Sequence, residues 1–144
     1  MTGTVKRAVA AAQALFASDQ ASQGLGMSIL NIEPGQASVT MTVRPDMTNG
    51  HGICHGGFIF ALADSAFAFA CNSHGPATVA ASVSMDFLAP ANIGDLLTAV
   101  GKERWLGGRA GIYDLTVTRA DGTIIAYARG RSHRLRAVAT PGLK

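Results

Sequence analysis

A chain of 144 residues has room for one well-cored domain and not for two. Its 12 Lys and Arg against 9 Asp and Glu leave a formal charge of +3, and the basic residues are scattered along the chain, so no continuous stripe invites nucleic acid. Charged residues make up only 15% of the sequence, below the roughly 25% usual for soluble domains, which predicts that a partner subunit covers part of the surface.

The first stretch, about residues 4–17, repeats Ala, Leu and Phe at helical spacing and predicts a helix that ends before Gly24. Its basic residues precede an apolar run broken by Gln13, a poor match to a signal peptide, and a cytoplasmic location is expected. MSILNIEPG and QASVTMTV flank Pro34-Gly35 and read as two strands of a hairpin. Arg44 to Gly57, with Pro45, Asn49 and four glycines, reads as an irregular loop. It feeds a helix from Gly57 to about Ser73, apolar nearly all round and so expected to be enclosed by other elements. With Asp64 inside, its apolar window falls short of the ~20 residues a membrane span needs. Four strand-like runs follow, Thr78 to Phe87, Asp95 to Arg104, Arg109 to Thr118 and Thr123 to Leu135. The last three are separated by Gly107-Gly108 and Asp121-Gly122, so the four are expected to be sequential and antiparallel. Residues from about 136 to 144 read as a tail. The whole predicts a single α+β domain in which a curved antiparallel sheet wraps one long central helix.

Chemistry concentrates in NGHGICHGGFIFALADSAFAFACNS, residues 49–73. A carboxylate amid apolar helix residues costs several kcal/mol or shifts its pKa, so Asp64 needs a reason to be there. His55-Gly56-Gly57 stands where loop becomes helix. Glycine lets a substrate approach the backbone, and the first helical N–H groups lack internal partners and suit a developing oxyanion. Gly56 and Asp64 are eight residues apart in this sequence, roughly 12 Å at the helical rise. One reacting carbonyl cannot touch both, so if they serve one carbon the carboxylate comes from a second copy across a two-fold axis.

Competing chemistries lack their residues. There is no G-x-S-x-G elbow, no HExxH and no GxxxxGK[ST]. His51, Cys54 and His55 offer zinc no convincing fourth ligand, and the two cysteines cannot build a disulfide scaffold, so no metal and no cofactor are expected.

Asn49, His55-Gly56-Gly57, Leu62-Ala63-Asp64 and Ala66-Phe67-Ala68 together resemble the signature of hotdog-fold acyl-CoA thioesterases of the phenylacetate-degradation (PaaI-type) family. The resemblance spans about residues 16–135. It implies that Asp64 attacks the thioester or activates water, that Gly56 supplies the oxyanion N–H, and that Asn49 orients water or carbonyl. It further implies that His55 supports the loop and the thioester oxygen and that Ser82 places a hydroxyl near the carboxylate. Asn49, His55 and Gly56 would come from one subunit, Asp64 and Ser82 from the other. Gly57, Arg109, Arg131 and Arg134 are candidates for holding the CoA moiety, which belongs to the substrate, and Phe58 and Leu62 for lining the acyl pocket. Two chains would pair their sheets and dimers would associate into a homotetramer, with no membrane or nucleic-acid partner. The implied reaction releases free acid and CoA from aryl-acyl thioesters such as phenylacetyl-CoA or hydroxyphenylacetyl-CoA. The alternatives are an acyl-thioester hydratase or dehydratase using His55 and Asp64 as acid and base, and a non-catalytic acyl-CoA-binding regulator.

Overall fold

The computed structural model describes residues 2–142. Helix α1 (Gly3–Ala17) starts where the Thr2 side chain accepts a hydrogen bond from Val5 N, and it buries Ala8, Ala11 and Ala12, one stripe at helical spacing. A short helix, α2 (Gln20–Gly24), was not expected from composition. Asp19 caps it, its carboxylate accepting from Ser22 N at 2.9 Å and from Ser22 Oγ at 2.6 Å.

Strands β1 (Ser28–Glu33) and β2 (Gln36–Thr42) form the expected hairpin, with Gly35 at φ +75° in the turn. After a 3-10 turn at Pro45–Met47 and the glycine-rich loop comes helix α3 (Gly56–Cys71). Strands β3 (Pro76–Phe87), β4 (Leu96–Gly107), β5 (Ala110–Arg119) and β6 (Ile124–Ala139) complete an antiparallel sheet of order β1-β2-β4-β5-β6-β3. This is an α+β hotdog fold, one long helix lying on a six-stranded sheet.

Two expectations about the course of the chain change. Only β4, β5 and β6 run as a meander. Strand β3 lies beyond β6 at the far edge, because α3 carries the chain across the whole sheet before β3 begins. The tail expected from about 136 instead begins later. Strand β6 continues to Ala139, and Thr140 is buried with its hydroxyl donating to Asn72 Oδ1 and Gly75 O. Residues 143–144 of that expected tail lie outside the described residues.

The core forms where α3 meets the sheet. On β5, Gly111, Tyr113, Leu115 and Val117 point inward in strict alternation, and Ala126, Ala128 and Gly130 do so on β6. Two glycines set the helix-to-sheet distance. A Cβ at Gly101 would stand 3.0 Å from Ala66 O, and one at Gly130 would stand 2.5 Å from the Phe67 ring, so larger residues there would push the helix off its bed.

The helix is not enclosed all round, contrary to expectation. Ile59, Leu62, Ala63, Ala66, Phe67, Phe69 and Ala70 are buried, but Gly57, Phe60, Ala61, Asp64 and Ala68 form a less covered stripe along the opposite face. No helix among the described residues is long and apolar enough to cross a membrane.

Candidate active site

The loop before α3 is strapped to its surroundings by main-chain bonds. Asn49 N donates to Ile53 O at 2.8 Å, Cys54 N to Ala91 O at 2.8 Å and His55 N to Met47 O at 2.8 Å. The Asn49 side chain serves the same loop, its Oδ1 accepting from His51 N at 2.9 Å and Ile53 N at 3.4 Å. That leaves Nδ2 without a partner among the described residues.

His55 is the N-cap of α3, with Nδ1 accepting from Gly57 N at 2.9 Å. The resemblance implied that this side chain supports the loop and the thioester oxygen, and it did not specify the cap. The capping bond also occupies the Gly57 amide, which therefore has no free donor to offer a CoA moiety. The preceding amide, Gly56 N, has no acceptor among the described residues, and the helix dipole stands behind it. A Cβ at Gly56 would lie 3.1 Å from the Phe87 ring, so a larger residue here would have to displace that exposed side chain and would narrow the approach to the amide. Asn49, Gly56 and Phe87 line one cleft of about 600 Å³, walled also by Ile59, Leu88 and Pro90. Arg119 steadies that wall from behind, donating to Pro90 O at 3.0 Å and Thr123 Oγ1 at 3.0 Å.

Asp64 lines a different concavity of about 230 Å³, formed with Leu15, Phe67, Cys71, Thr78, Val79 and Ala80 among others. Its carboxylate has no hydrogen bond and no ion pair among the described residues. Burial raises its pKa above the ordinary carboxylate value, and the negative charge of Asp19 raises it further. Asp19 approaches through a short hydroxyl chain: it accepts from Ser22 Oγ, which shares a 2.7 Å bond with Ser65 Oγ, the neighbour of Asp64 on the helix. This arrangement was missed, although Asp19 three residues before Ser22 is a readable capping spacing.

The structure therefore brings Asn49, His55 and Gly56 together and keeps Asp64 apart from them within one protomer. Ser82 is exposed on β3, at the bulge between Ala80 and Ser82, and lines neither concavity, while Val79 and Ala80 of the same strand do line that of Asp64. Arg131 is exposed and pairs in register with Ser82. Arg109 and Arg134 instead line a third cavity, with Arg134 Nη2 donating to Gly108 O at 3.1 Å. Leu62 is wholly buried in the core and cannot line an acyl pocket, because it sits on the sheet side of the helix. Cys54 and Cys71 are free and buried, and burial pushes both thiols up, that of Cys71 to about 12. Among the described residues, no group of three or more His, Cys, Asp or Glu is placed to hold a metal ion.

A carboxylate held without a partner and a helix-start amide held without an acceptor, on a hotdog scaffold, are parts for opening a thioester, and comparison with known proteins agrees. The chain belongs to the thioesterase superfamily, whose family model matches residues 51–126. It is a thioester hydrolase of the PaaI type. Its similarity to the acyl-coenzyme A thioesterase PaaI of Escherichia coli is 45% identity over 124 residues, covering 86% of this chain and 89% of that protein. The solved structure of E. coli PaaI, from the phenylacetic acid degradation operon, superposes with a TM-score of 0.91 at 43% identity, covering 92% of this chain and 96% of that one. A Streptococcus mutans protein solved bound to acetyl-CoA superposes with a TM-score of 0.73 at 27% identity, covering 82% of this chain and 91% of that one.

Proposed function

We propose that this acyl-CoA thioesterase hydrolyses arylacetyl thioesters, phenylacetyl-CoA or its ring-hydroxylated forms, in two equivalent sites shared across a two-fold dimer. One observation carries the reading. Asp64 and the Asn49–Gly56 pair open into separate concavities with no lining residue in common, about eight helical residues apart, roughly 12 Å. A second protomer set antiparallel against the stripe of Phe60, Ala61, Asp64 and Ala68 would bring the carboxylate of one copy to the free amide of the other. The open edge of β3, twelve residues long and largely exposed, offers the sheet continuation such a pair would use. Pairing of dimers into a tetramer belongs to the same reading.

In such a site the thioester oxygen accepts from Gly56 N–H, and the unpaired Nδ2 of Asn49 orients the water or the carbonyl. Asp64, as the carboxylate, either takes a proton from water or attacks the carbon itself. The tetrahedral oxyanion builds charge against the helix start, where a fixed donor contributes more than it would in water. Collapse breaks the C–S bond, and the CoA sulfur leaves and gains a proton; where water attacked, the free acid remains directly, and where Asp64 attacked, water then cleaves the acyl-Asp64 anhydride to free acid and regenerated carboxylate. No metal or other cofactor enters these steps. Ser82 joins from the protomer that supplies Asp64. Arg131, its exposed cross-strand neighbour, meets the CoA phosphates in this reading, with Arg109 and Arg134 further along the sheet as the other candidates. Gly57 has only its lack of a side chain to contribute there. Both cysteines are free, which suits a reducing, cytoplasmic setting.

Size favours a single ring. A dry cavity of roughly 150 Å³ accepts benzene, and the concavity at Asp64 measures about 230 Å³.

Mixing inactive protomers tests the shared site. Asn49→Ala and Asp64→Asn each remove one half, and a heterodimer of the two carries one intact site and one doubly damaged one. Equal mixing by reversible dissociation should restore about a quarter of wild-type thiol release, since half the dimers are mixed and each regains one of two sites. No recovery after proven subunit exchange would mean that both halves act within one protomer.

A further inference from the structure

We infer that Cys71 is the floor of the acyl pocket and limits the acyl group to a single ring. Two cavities stand back to back at this residue. The one at Asp64 measures about 230 Å³, and behind it lies a chamber of about 190 Å³ reached by Leu106, Ala110, Tyr113, Arg109 and Arg134. Only Cys71 and Thr78 wall both.

The partition has a fixed half and a removable half. Thr78 is held through its main chain, its N–H donating to Asn72 Oδ1 at 2.8 Å and its carbonyl accepting from Asn72 Nδ2 at 3.0 Å. Against that carbonyl rests Cys71 Sγ, at 3.9 Å, with a second weak bond to Ala68 O at 3.6 Å. Cys71 Sγ thus rests against the one other residue that walls both chambers. Cys71 lies two turns beyond Asp64 on the same helix, about 10 Å along its axis. An arylacetyl group whose carbonyl carbon sits at the carboxylate ends its ring near that floor. The thiol takes no chemical part: it is 4% exposed, and burial keeps it protonated.

This inference rests on the Asp64 concavity being the acyl pocket, as proposed above. The experiment compares kcat/KM for biphenyl-4-ylacetyl-CoA with that for phenylacetyl-CoA in wild type, C71A and C71S. Wild type should favour the single ring strongly. C71A, which removes the sulfur, should raise the two-ring to one-ring ratio about tenfold, the order of discrimination that a methylene-sized wall gives. C71S keeps an atom at the partition and should leave the ratio within about twofold of wild type. A wild type that handles both esters alike overturns the inference without any variant. So does a C71A ratio that rises less than about threefold, or a C71S ratio that rises as far as that of C71A. Loss of the wider functional reading would look different, because then wild type would release no thiol from either ester.

Discussion

The two ends of the proposed catalytic apparatus on α3 are built by opposite means. At the helix start the working group is main chain, held by a loop whose amides and carbonyls are engaged with one another and with Ala91 and Met47. Eight residues on, the working group is a side chain, and nothing among the described residues bonds to it. The first end is stable because the loop that carries its free amide is satisfied. The second is reactive because it is not, since a carboxylate without partners in a half-buried setting holds its proton more tightly and gains more from meeting a reaction that uses it. The fold absorbs the second end's cost through the packing of Phe67 and Phe69 beneath it.

The largest effect should follow from editing the unsatisfied end. Asp64→Asn should lower kcat by at least about 100-fold with little change in binding of the CoA ester, because the lost group acts mainly in the transition state. The same variant should melt at a higher temperature near neutral pH. The folded pKa of Asp64 lies above its unfolded value, so the folded state is penalised as pH rises through the raised value, and the penalty is absent below the unfolded one. An Asp64→Asn protein that keeps its turnover would break the contrast between the two ends.

A subtler change keeps the carboxylate and alters its neighbour. Asn caps a helix as well as Asp does, so Asp19→Asn should leave α2 in place while removing a like charge near Asp64. In the proposed mechanism thiol release needs ionised Asp64, and the acid limb of the kcat/KM profile should therefore move to lower pH in this variant. A limb that stays put would detach Asp19 from the site. The smallest effect belongs to the satisfied end: His55→Ala deletes the cap on Gly57 N and should cost about 1 kcal/mol of stability, read as a lowered denaturant midpoint. A midpoint unchanged from wild type would show that the strapped loop holds the helix start without its histidine.

Local signals made most of the elements legible before any coordinates. Pro34-Gly35 and Asp121-Gly122 mark their turns because positive φ at the glycine is a local demand, and the alternation of β5 is written in Tyr113, Leu115 and Val117. The position of β3 beside β6 has no such signal, since pairing across many residues is decided by the sheet as a whole. The same holds within the site. Asp64 was conspicuous as a charge in an apolar run, whereas the uncovered stripe around it depends on where the sheet ends. That also explains Leu62, whose hydrophobicity is equally compatible with core and pocket and which the fold assigns to the core.

The state of the cysteines has a practical side. With Cys54 and Cys71 both buried and held as thiols rather than thiolates, the folded enzyme should be slow to react with the chromogenic disulfides used to count liberated coenzyme. Turnover can then be followed continuously in their presence, and any colour that develops without substrate becomes a gauge of how much of the preparation has unfolded.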